Sequence, residues 1–308
     1  MNSKSLSKED IDSDYIREIV FDKEIFSKCF VNLDRIHKIP KTNTWELWSH
    51  IQINEPPTNV GDLKEHVAEQ LNLLEQFYGL IENKGNFNLF VNFYFPKDTA
   101  NQNRVFSYNH KNKQIHEKSL GAFAEEFREK NRLAGGSWEP RAPLSEETLL
   151  QNRKNDSAFS LSQSFLDGDL TYGFNFDVVA LKNDKIFLVE FLKCEENQKV
   201  DPFTSHPNKY FSKNKQKFIS LFSFAKAIEQ DFFCVNYAKE NTKHEDKVKI
   251  FKVMNVDENN ITEPVFTPSE GCLATTKRRA NSYFKNKIQD PVFENPRVNR
   301  WKRAGRAF

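Results

Sequence analysis

The segment FNFDVVALKNDKIFLVEFLKCE, residues 174–195, constrains the fold of this chain more than any other stretch. It contains two strongly apolar runs of strand composition, separated by the polar turn KNDK. Each run carries one carboxylate, Asp177 in the first and Glu190 in the second. Burying an ionised carboxylate without a partner is costly, so the placement of both acids requires an explanation.

The turn determines which residues of this hairpin face each other. If Asn183 and Asp184 form the centre of a two-residue turn, the numbers of paired residues add up to 367. Asp177 and Glu190 then lie opposite each other, with Cβ atoms roughly 4.5–5.5 Å apart. A register shift of one residue would instead place them on opposite faces. Apolar residues fill both faces of the hairpin, which is typical of strands that are covered on both sides.

Two carboxylates at this distance have two chemical explanations. They repel each other and lose hydration, so they either bind a cation or share a proton. A structural alternative stays open, in which Asp177 lies at an exposed sheet edge and Glu190 pairs with a lysine or arginine. A hard divalent ion such as Mg²⁺ or Mn²⁺ prefers oxygen ligands and often takes only one or two protein carboxylates.

The rest of the sequence argues against several other kinds of site. There are four cysteines, Cys29, Cys194, Cys234 and Cys272, and they lie far apart without C-x-x-C spacing. This spacing argues against a zinc site and against a disulfide framework. The seven histidines show no metal-ligand or catalytic grouping. We find no apolar run of about 18 residues, and residues 1–20 lack the apolar core of a signal peptide. These features predict a globular, cytoplasmic protein that does not span a membrane.

Charge is distributed unevenly along the chain. The whole sequence has a formal net charge of +2, yet residues 277–308 contain ten lysines and arginines against two acids. A basic segment interspersed with aromatic residues predicts contact with a polyanion, although a solvated terminus is the alternative. The residues expected to contact nucleic acid are Lys277, Arg278, Arg279, Arg300, Trp301, Lys302 and Arg303.

Hydrophobic periodicity predicts a mixture of helices and strands. Helical spacing indicates helices over residues 61–81, 119–136, 145–155 and 205–230. Alternation indicates strands over 87–95, 158–166, 231–238 and 247–256, and a hairpin over 104–118. The fold class predicted is α/β (α+β), with a mixed central sheet flanked by helices. The domains predicted are an N-terminal α+β region over 1–116, a core over 117–260 and a basic extension over 261–308.

Asp177, Glu190 and the nearby Lys193 resemble the motif of the PD-(D/E)XK nuclease superfamily, which includes type II restriction endonucleases. Asp177 matches the first motif acid and Glu190 the second, and the resemblance covers about residues 119–240. It implies a restriction-endonuclease-like core and hydrolysis of phosphodiester bonds in double-stranded DNA. It also implies Mg²⁺ or Mn²⁺ as the cofactor, with Asp177 and Glu190 as its ligands, and by analogy a homodimer.

The match departs from the family pattern at the lysine. The pattern places a lysine two residues after the second acid, but Leu192 occupies that position, and Lys193 faces away in a regular strand. A β-bulge can bring Lys193 round, Lys217 of the following helix can replace it, or the protein only binds nucleic acid. Such folds often supply another glutamate from their first helix, for which Glu126 is the first choice. The alternatives to it are Glu125, Glu129 and Glu147.

Two functions follow from this reasoning. The first is a metal-dependent endonuclease that cuts DNA. The second is a non-catalytic nucleic-acid-binding or interaction protein that retains a nuclease-like fold, which the displaced lysine favours. Two buried acids argue against the second function, because apolar replacements would stabilise a protein that did not use them. A metal-free acid-pair hydrolase is a third hypothesis, but no sugar-binding aromatic group lies near the pair in the sequence.

Overall fold

A computed structural model describes most of the chain between residues 29 and 280. The described residues are 29–53, 65, 67–97, 99–135, 143–153, 158–166, 173–194, 201–205, 208–239, 241–253, 255–256, 273–276 and 280. The chain divides into two compact units. The first unit contains the described residues from Val31 to Asn175, and the second contains Cys29, Phe30 and the described residues from Phe176 onward.

The first unit is built on a mixed five-stranded sheet. Its elements are β1 (Arg35–Ile39), β2 (Thr44–Gln52), α1 (Ala68–Ile81), β3 (Phe87–Tyr94), β4 (Arg104–Asn109), β5 (Gln114–Ser119), α2 (Leu120–Leu133), α3 (Glu146–Asn152) and α4 (Ala158–Leu166). The strand order is β1-β2-β3-β4-β5. The β2–β3 pair is parallel, and the other three pairs are antiparallel. The crossover helix α1 supplies the connection that a parallel pair requires.

Helices α2, α3 and α4 cover one face of the first sheet. The apolar stripe of α2, with Phe123 and Phe127, packs against Trp48 of β2 and Phe165 of α4. Ser119 caps α2, because its hydroxyl accepts a hydrogen bond of 3.1 Å from the backbone of Ala122. The predicted division at residue 117 placed these helices with the second sheet, whereas their apolar side chains are buried in the first unit.

The second unit is also built on a mixed five-stranded sheet. Its elements are β6 (Val178–Lys182), β7 (Lys185–Lys193), α5 (Asn208–Ala227), β8 (Phe232–Tyr237), β9 (Lys247–Lys252) and β10 (Leu273–Thr276). The strand order is β10-β9-β8-β7-β6. The β7–β8 pair is parallel, and the remaining pairs are antiparallel. The mixed α+β class predicted from the sequence is confirmed, with one mixed sheet in each unit.

The hairpin of β6 and β7 has the predicted register. Val178 pairs with Val189 and Lys182 with Lys185, so the numbers of paired residues add up to 367. Asn183 and Asp184 both have positive φ, 51° and 60°. Two successive left-handed residues form the hairpin turn whose twist matches that of the strands, and Asn and Asp tolerate this conformation better than other side chains.

The strand predicted over residues 158–166 is wrong, because the structure places helix α4 there. The sequence AFSLSQSFL alternates, but the buried Leu161 and Phe165 are also four residues apart, the spacing of one helix face. Contacts of Phe165 with Phe123 and Phe127 of α2 favour the helical arrangement. Tertiary packing therefore overrides the local alternation. Among the described helices, none combines the length and apolar character needed to cross a bilayer.

Candidate functional site

Asp177 lies at the start of the second sheet. It directly precedes β6, and its Oδ2 accepts a hydrogen bond of 2.6 Å from the backbone N–H of Phe191. Extending the register of β6 and β7 by one pair places Asp177 opposite Glu190. The two acids are thus neighbours, as the turn register predicted.

Glu190 is the central acid of the site. It lies inside β7, pairs across the parallel ladder with Cys234 of β8, and is only 5% exposed. Its Oε1 accepts a hydrogen bond from the ammonium of Lys217. Its Oε2 is buried and forms no hydrogen bond with any of the described residues. A buried acceptor without a partner is energetically costly, and a bound ion, water molecule or ligand group would remove that cost.

Lys217 comes from the crossover helix α5. Phe218, Leu221 and Phe224 are buried and fix this helix on the sheet. Phe176 contacts Phe224, which attaches the start of the hairpin to the same helix. Lys217 itself remains partly accessible, with a side chain that is 22% exposed. The ammonium therefore approaches the acid pair from above the sheet.

The electrostatics of the site reflect its burial. Burial and the neighbouring Asp177 carboxylate raise the pKa of Glu190 to about 8, against the opposing effect of Lys217. Burial alone would lower the pKa of Lys217, but attraction to Glu190 and Asp177 outweighs it and raises that pKa. Burial also raises the pKa of Cys234, so this thiol stays protonated. With both acids ionised, two negative charges face one positive charge.

These residues fit a hard divalent cation. Asp177 and Glu190 offer oxygen ligands, and Glu190 Oε2 is an acceptor without a donor among the described residues. Mg²⁺ is commonly bound through one or two carboxylates, with water and substrate oxygens completing its shell. Within the described part of the chain, no cluster of three or more His, Cys, Asp or Glu side chains is arranged to hold a metal. Among the described residues, the only side chains at this position that could offer oxygen ligands to such an ion are therefore the two acids.

Lys193 lies away from the acid pair. The ladder between β7 and β8 keeps one register from Leu188 to Lys193, which leaves no bulge there. Lys193 pairs with Tyr237, which belongs to the apolar cluster on the face opposite Glu190. The bulge considered as a way to turn Lys193 toward Glu190 is therefore wrong, and Lys217 is the lysine that contacts Glu190.

Glu126 belongs to the first unit, where Lys118 contacts it at 2.5 Å. The other three candidate glutamates also lie in that unit and have contacts within it. Their partners are Arg128 for Glu125, Arg132 for Glu129 and Gln151 for Glu147. The structure thus gives each of these side chains a local partner. The predicted nucleic-acid contacts at 277–279 and 300–303 lie outside the described residues.

Comparisons with protein-family models, curated proteins and solved structures found no match to this chain. The resemblance to PD-(D/E)XK nucleases therefore depends on the motif residues and their geometry alone.

Proposed function

We propose that the second unit is a metal-dependent nuclease that hydrolyses phosphodiester bonds of DNA. The observation that carries this proposal is the convergence of Asp177, which precedes β6, with Glu190 of β7 and Lys217 of α5. Glu190 Oε2 is buried and has no hydrogen-bond partner among the described residues. Two acids and one lysine in this arrangement are the groups that metal-assisted phosphoryl chemistry uses.

Asp177 and Glu190 are proposed to hold Mg²⁺ or Mn²⁺. When bound, such an ion supplies Lewis acidity toward a phosphate oxygen and lowers the pKa of a water molecule. The hydrogen bond from Phe191 fixes the orientation of the Asp177 carboxylate. The strand interior fixes Glu190, because β7 is paired on both sides. Both ligands are therefore held in place before any ion binds, which reduces the cost of ordering them.

Lys217 is proposed to stabilise negative charge on the scissile phosphate. Its ammonium contacts Glu190, and because its side chain is partly exposed, a phosphodiester bound at the acid pair would lie within its reach. Its raised pKa keeps it charged at neutral pH. A fixed cation beside developing negative charge contributes strongly in a site from which water is largely excluded. The basic segment at 277–308 supports DNA as the substrate through its charge.

One observation favours a second function, a protein that binds nucleic acid without cutting it. Lys217 already neutralises part of the charge on Glu190, so the folded protein can bury this acid without a bound metal. The two functions differ in what a divalent ion does. A nuclease requires it for cleavage, whereas a binding protein retains its DNA affinity in EDTA.

The test is cleavage of supercoiled plasmid in Mg²⁺ or Mn²⁺, with an EDTA control. The wild type is expected to yield nicked or linear DNA, and Glu190→Gln is expected to yield neither. Asp184→Asn is the matched control, because it removes an exposed carboxylate from the turn of the same hairpin and Asn tolerates the positive φ there. Uncut plasmid with the wild type in both metals, or full activity of Glu190→Gln, would refute the proposal.

A further inference from the structure

The two units have the same topology. In each sheet the first two strands form an antiparallel hairpin, and the second and third strands are parallel. A helix follows the second strand in both cases, α1 in the first unit and α5 in the second. The third, fourth and fifth strands then form an antiparallel meander. Strand order, strand directions and the place of the crossover helix therefore all agree.

The acid Asp177 has a counterpart in the first unit. Asp34 directly precedes β1, as Asp177 directly precedes β6. Asp34 Oδ2 accepts a hydrogen bond of 2.5 Å from the backbone N–H of His50, as Asp177 Oδ2 accepts one of 2.6 Å from Phe191. The sequences agree locally as well, with Asn-Leu-Asp at 32–34 and Asn-Phe-Asp at 175–177.

The residue that corresponds to Glu190 is Ser49. Arg35 pairs with Trp48, so the next pair of the β1–β2 ladder places Asp34 opposite Ser49. Ser49 is fully buried, and its hydroxyl has no hydrogen-bond partner among the described residues. Across the parallel ladder Ser49 pairs with Val91, as Glu190 pairs with Cys234. The second acid of the pair is thus replaced by a small neutral side chain.

The lysine of the site also has no equivalent in α1. Tyr108 pairs with Val91 and contacts Glu75 of α1, which shows that α1 covers the face of the sheet that carries Ser49. The sequence of α1, AEQLNLLEQFYGLI, contains no lysine or arginine, and Leu71 and Leu74 are buried. Among its described residues, the first unit therefore retains the counterpart of Asp177, and neither Ser49 nor α1 supplies a counterpart of Glu190 or Lys217.

We infer that the first unit is a degenerate repeat of the second, in which Asp34 braces the β1–β2 hairpin instead of binding metal, so that only the second of the two described sheets holds a divalent-cation site. The metal-binding half of this inference rests on the proposed function. Each chain then has one cleavage centre and cuts one strand per encounter. Cleavage of both strands requires a second chain or a second binding event.

The matched pair Asp34→Asn and Asp177→Asn tests this asymmetry. Both substitutions keep an oxygen that can accept the same backbone hydrogen bond, so both variants should fold. Titration of the full chain with Mn²⁺, followed by electron paramagnetic resonance, is expected to give one site in the wild type and in Asp34→Asn. In Asp177→Asn the affinity is expected to fall more than about tenfold. Two sites in the wild type, or weaker binding in Asp34→Asn, would overturn the inference.

A gain of binding provides a second, independent test. In a Glu190→Gln background, Ser49→Asp restores a carboxylate opposite Asp34, and Ser49→Asn is its neutral control. We expect Mn²⁺ to raise the melting temperature of the Ser49→Asp variant and not that of the Ser49→Asn variant. Equal responses would contradict the repeat. Failure of the proposed function would give a different result, because Mn²⁺ would then bind Asp177→Asn as tightly as it binds the wild type.

Discussion

Asp34 and Asp177 occupy the same place in two sheets of the same strand order, yet only Asp177 faces a second carboxylate. Each accepts a backbone hydrogen bond from the second strand of its hairpin. Opposite Asp34 is the small hydroxyl of Ser49, and opposite Asp177 is the buried Glu190. The comparison shows that accepting the backbone hydrogen bond is a structural role that one acid can perform alone, whereas the proposed metal binding needs both acids. It also illustrates that a shared fold does not carry a shared site.

The two units also differ in how they bury titratable groups. In the second unit, the buried Glu190 has the ammonium of Lys217 as a partner. In the first unit, His37 and His50 are buried, and no ring nitrogen of either has a hydrogen-bond partner among the described residues. Phe127 contacts both rings, so charging either histidine is strongly disfavoured. The first unit should therefore be sensitive to acid, and the second to loss of its lysine.

Among the substitutions compared at neutral pH, removal of the lysine should have the largest effect on stability. Lys217→Met leaves Glu190 buried without its ion-pair partner, which we expect to cost about 3 kcal/mol of unfolding free energy in EDTA. Lys226→Met changes an exposed lysine of the same helix and should cost less than about 0.5 kcal/mol. Urea denaturation of both variants measures the difference. Equal losses would mean that the buried Glu190 does not need the charge of Lys217 for stability. The contrast between Glu190 and the neutral Ser49 would then not extend to stability.

Acid should destabilise the first unit next. Burial lowers the pKa of His37 and of His50 to about 3 from an unfolded value near 6.5. The stability that these neutral rings contribute is complete above pH 6.5 and is lost as pH falls toward 3, by about 1.4 kcal/mol per pH unit for each histidine. His50→Gln should make stability less dependent on pH. Unfolding at each pH can be followed by the fluorescence of Trp45 and Trp48.

The control for that experiment is His116→Gln, which changes an exposed histidine of β5 in the same unit. Its pH profile should coincide with that of the wild type. An unchanged profile in His50→Gln would show that burial of this ring has no part in the acid response.

A smaller effect is expected at the cap of α2. Ser119→Ala removes the hydroxyl that accepts the N–H of Ala122 and should cost about 1 kcal/mol of stability. Ser119→Asp restores an acceptor and should recover most of the loss. Thermal unfolding of the wild type and the two variants measures these differences. If Ser119→Asp does not recover the stability lost in Ser119→Ala, the loss is due to packing and not to capping.

Lys193 should have the smallest effect on cleavage. It lies on the face opposite Glu190, so Lys193→Met should change the cleavage rate by less than about threefold, whereas Lys217→Met should lower it by more than about 100-fold. A larger loss in Lys193→Met than in Lys217→Met would instead assign the catalytic role to Lys193.

The hairpin of the site was predictable because its determinants are local. The Asn183-Asp184 turn sets the register, and the register places Asp177 opposite Glu190. Lys217 was one of several candidates, because the rotation of a helix over a sheet depends on distant packing. The sequence of helix α4 suits both the strand period of two and the helical period of about 3.6 residues, and contacts with α2 decide between them.

The sequence does not reveal the repeat, for a different reason. Its evidence lies in ladder registers and hydrogen bonds that only the folded chain displays. Ser49 carries no charge to attract attention, and the one local signal is the short Asn-apolar-Asp match at 32–34 and 175–177. A motif search finds residues that are present, whereas a degenerate site is recognised by the position of the residue that has changed.

The most direct measurement compares plasmid cleavage by Asp34→Asn and Asp177→Asn in Mn²⁺, at equal concentrations of folded protein. Asp34→Asn is expected to cleave at the rate of the wild type, and Asp177→Asn is expected to lose more than about 100-fold. Equal loss in both variants would contradict the asymmetry of the two units. Equal activity in both would contradict the assignment of the metal site to Asp177 and Glu190.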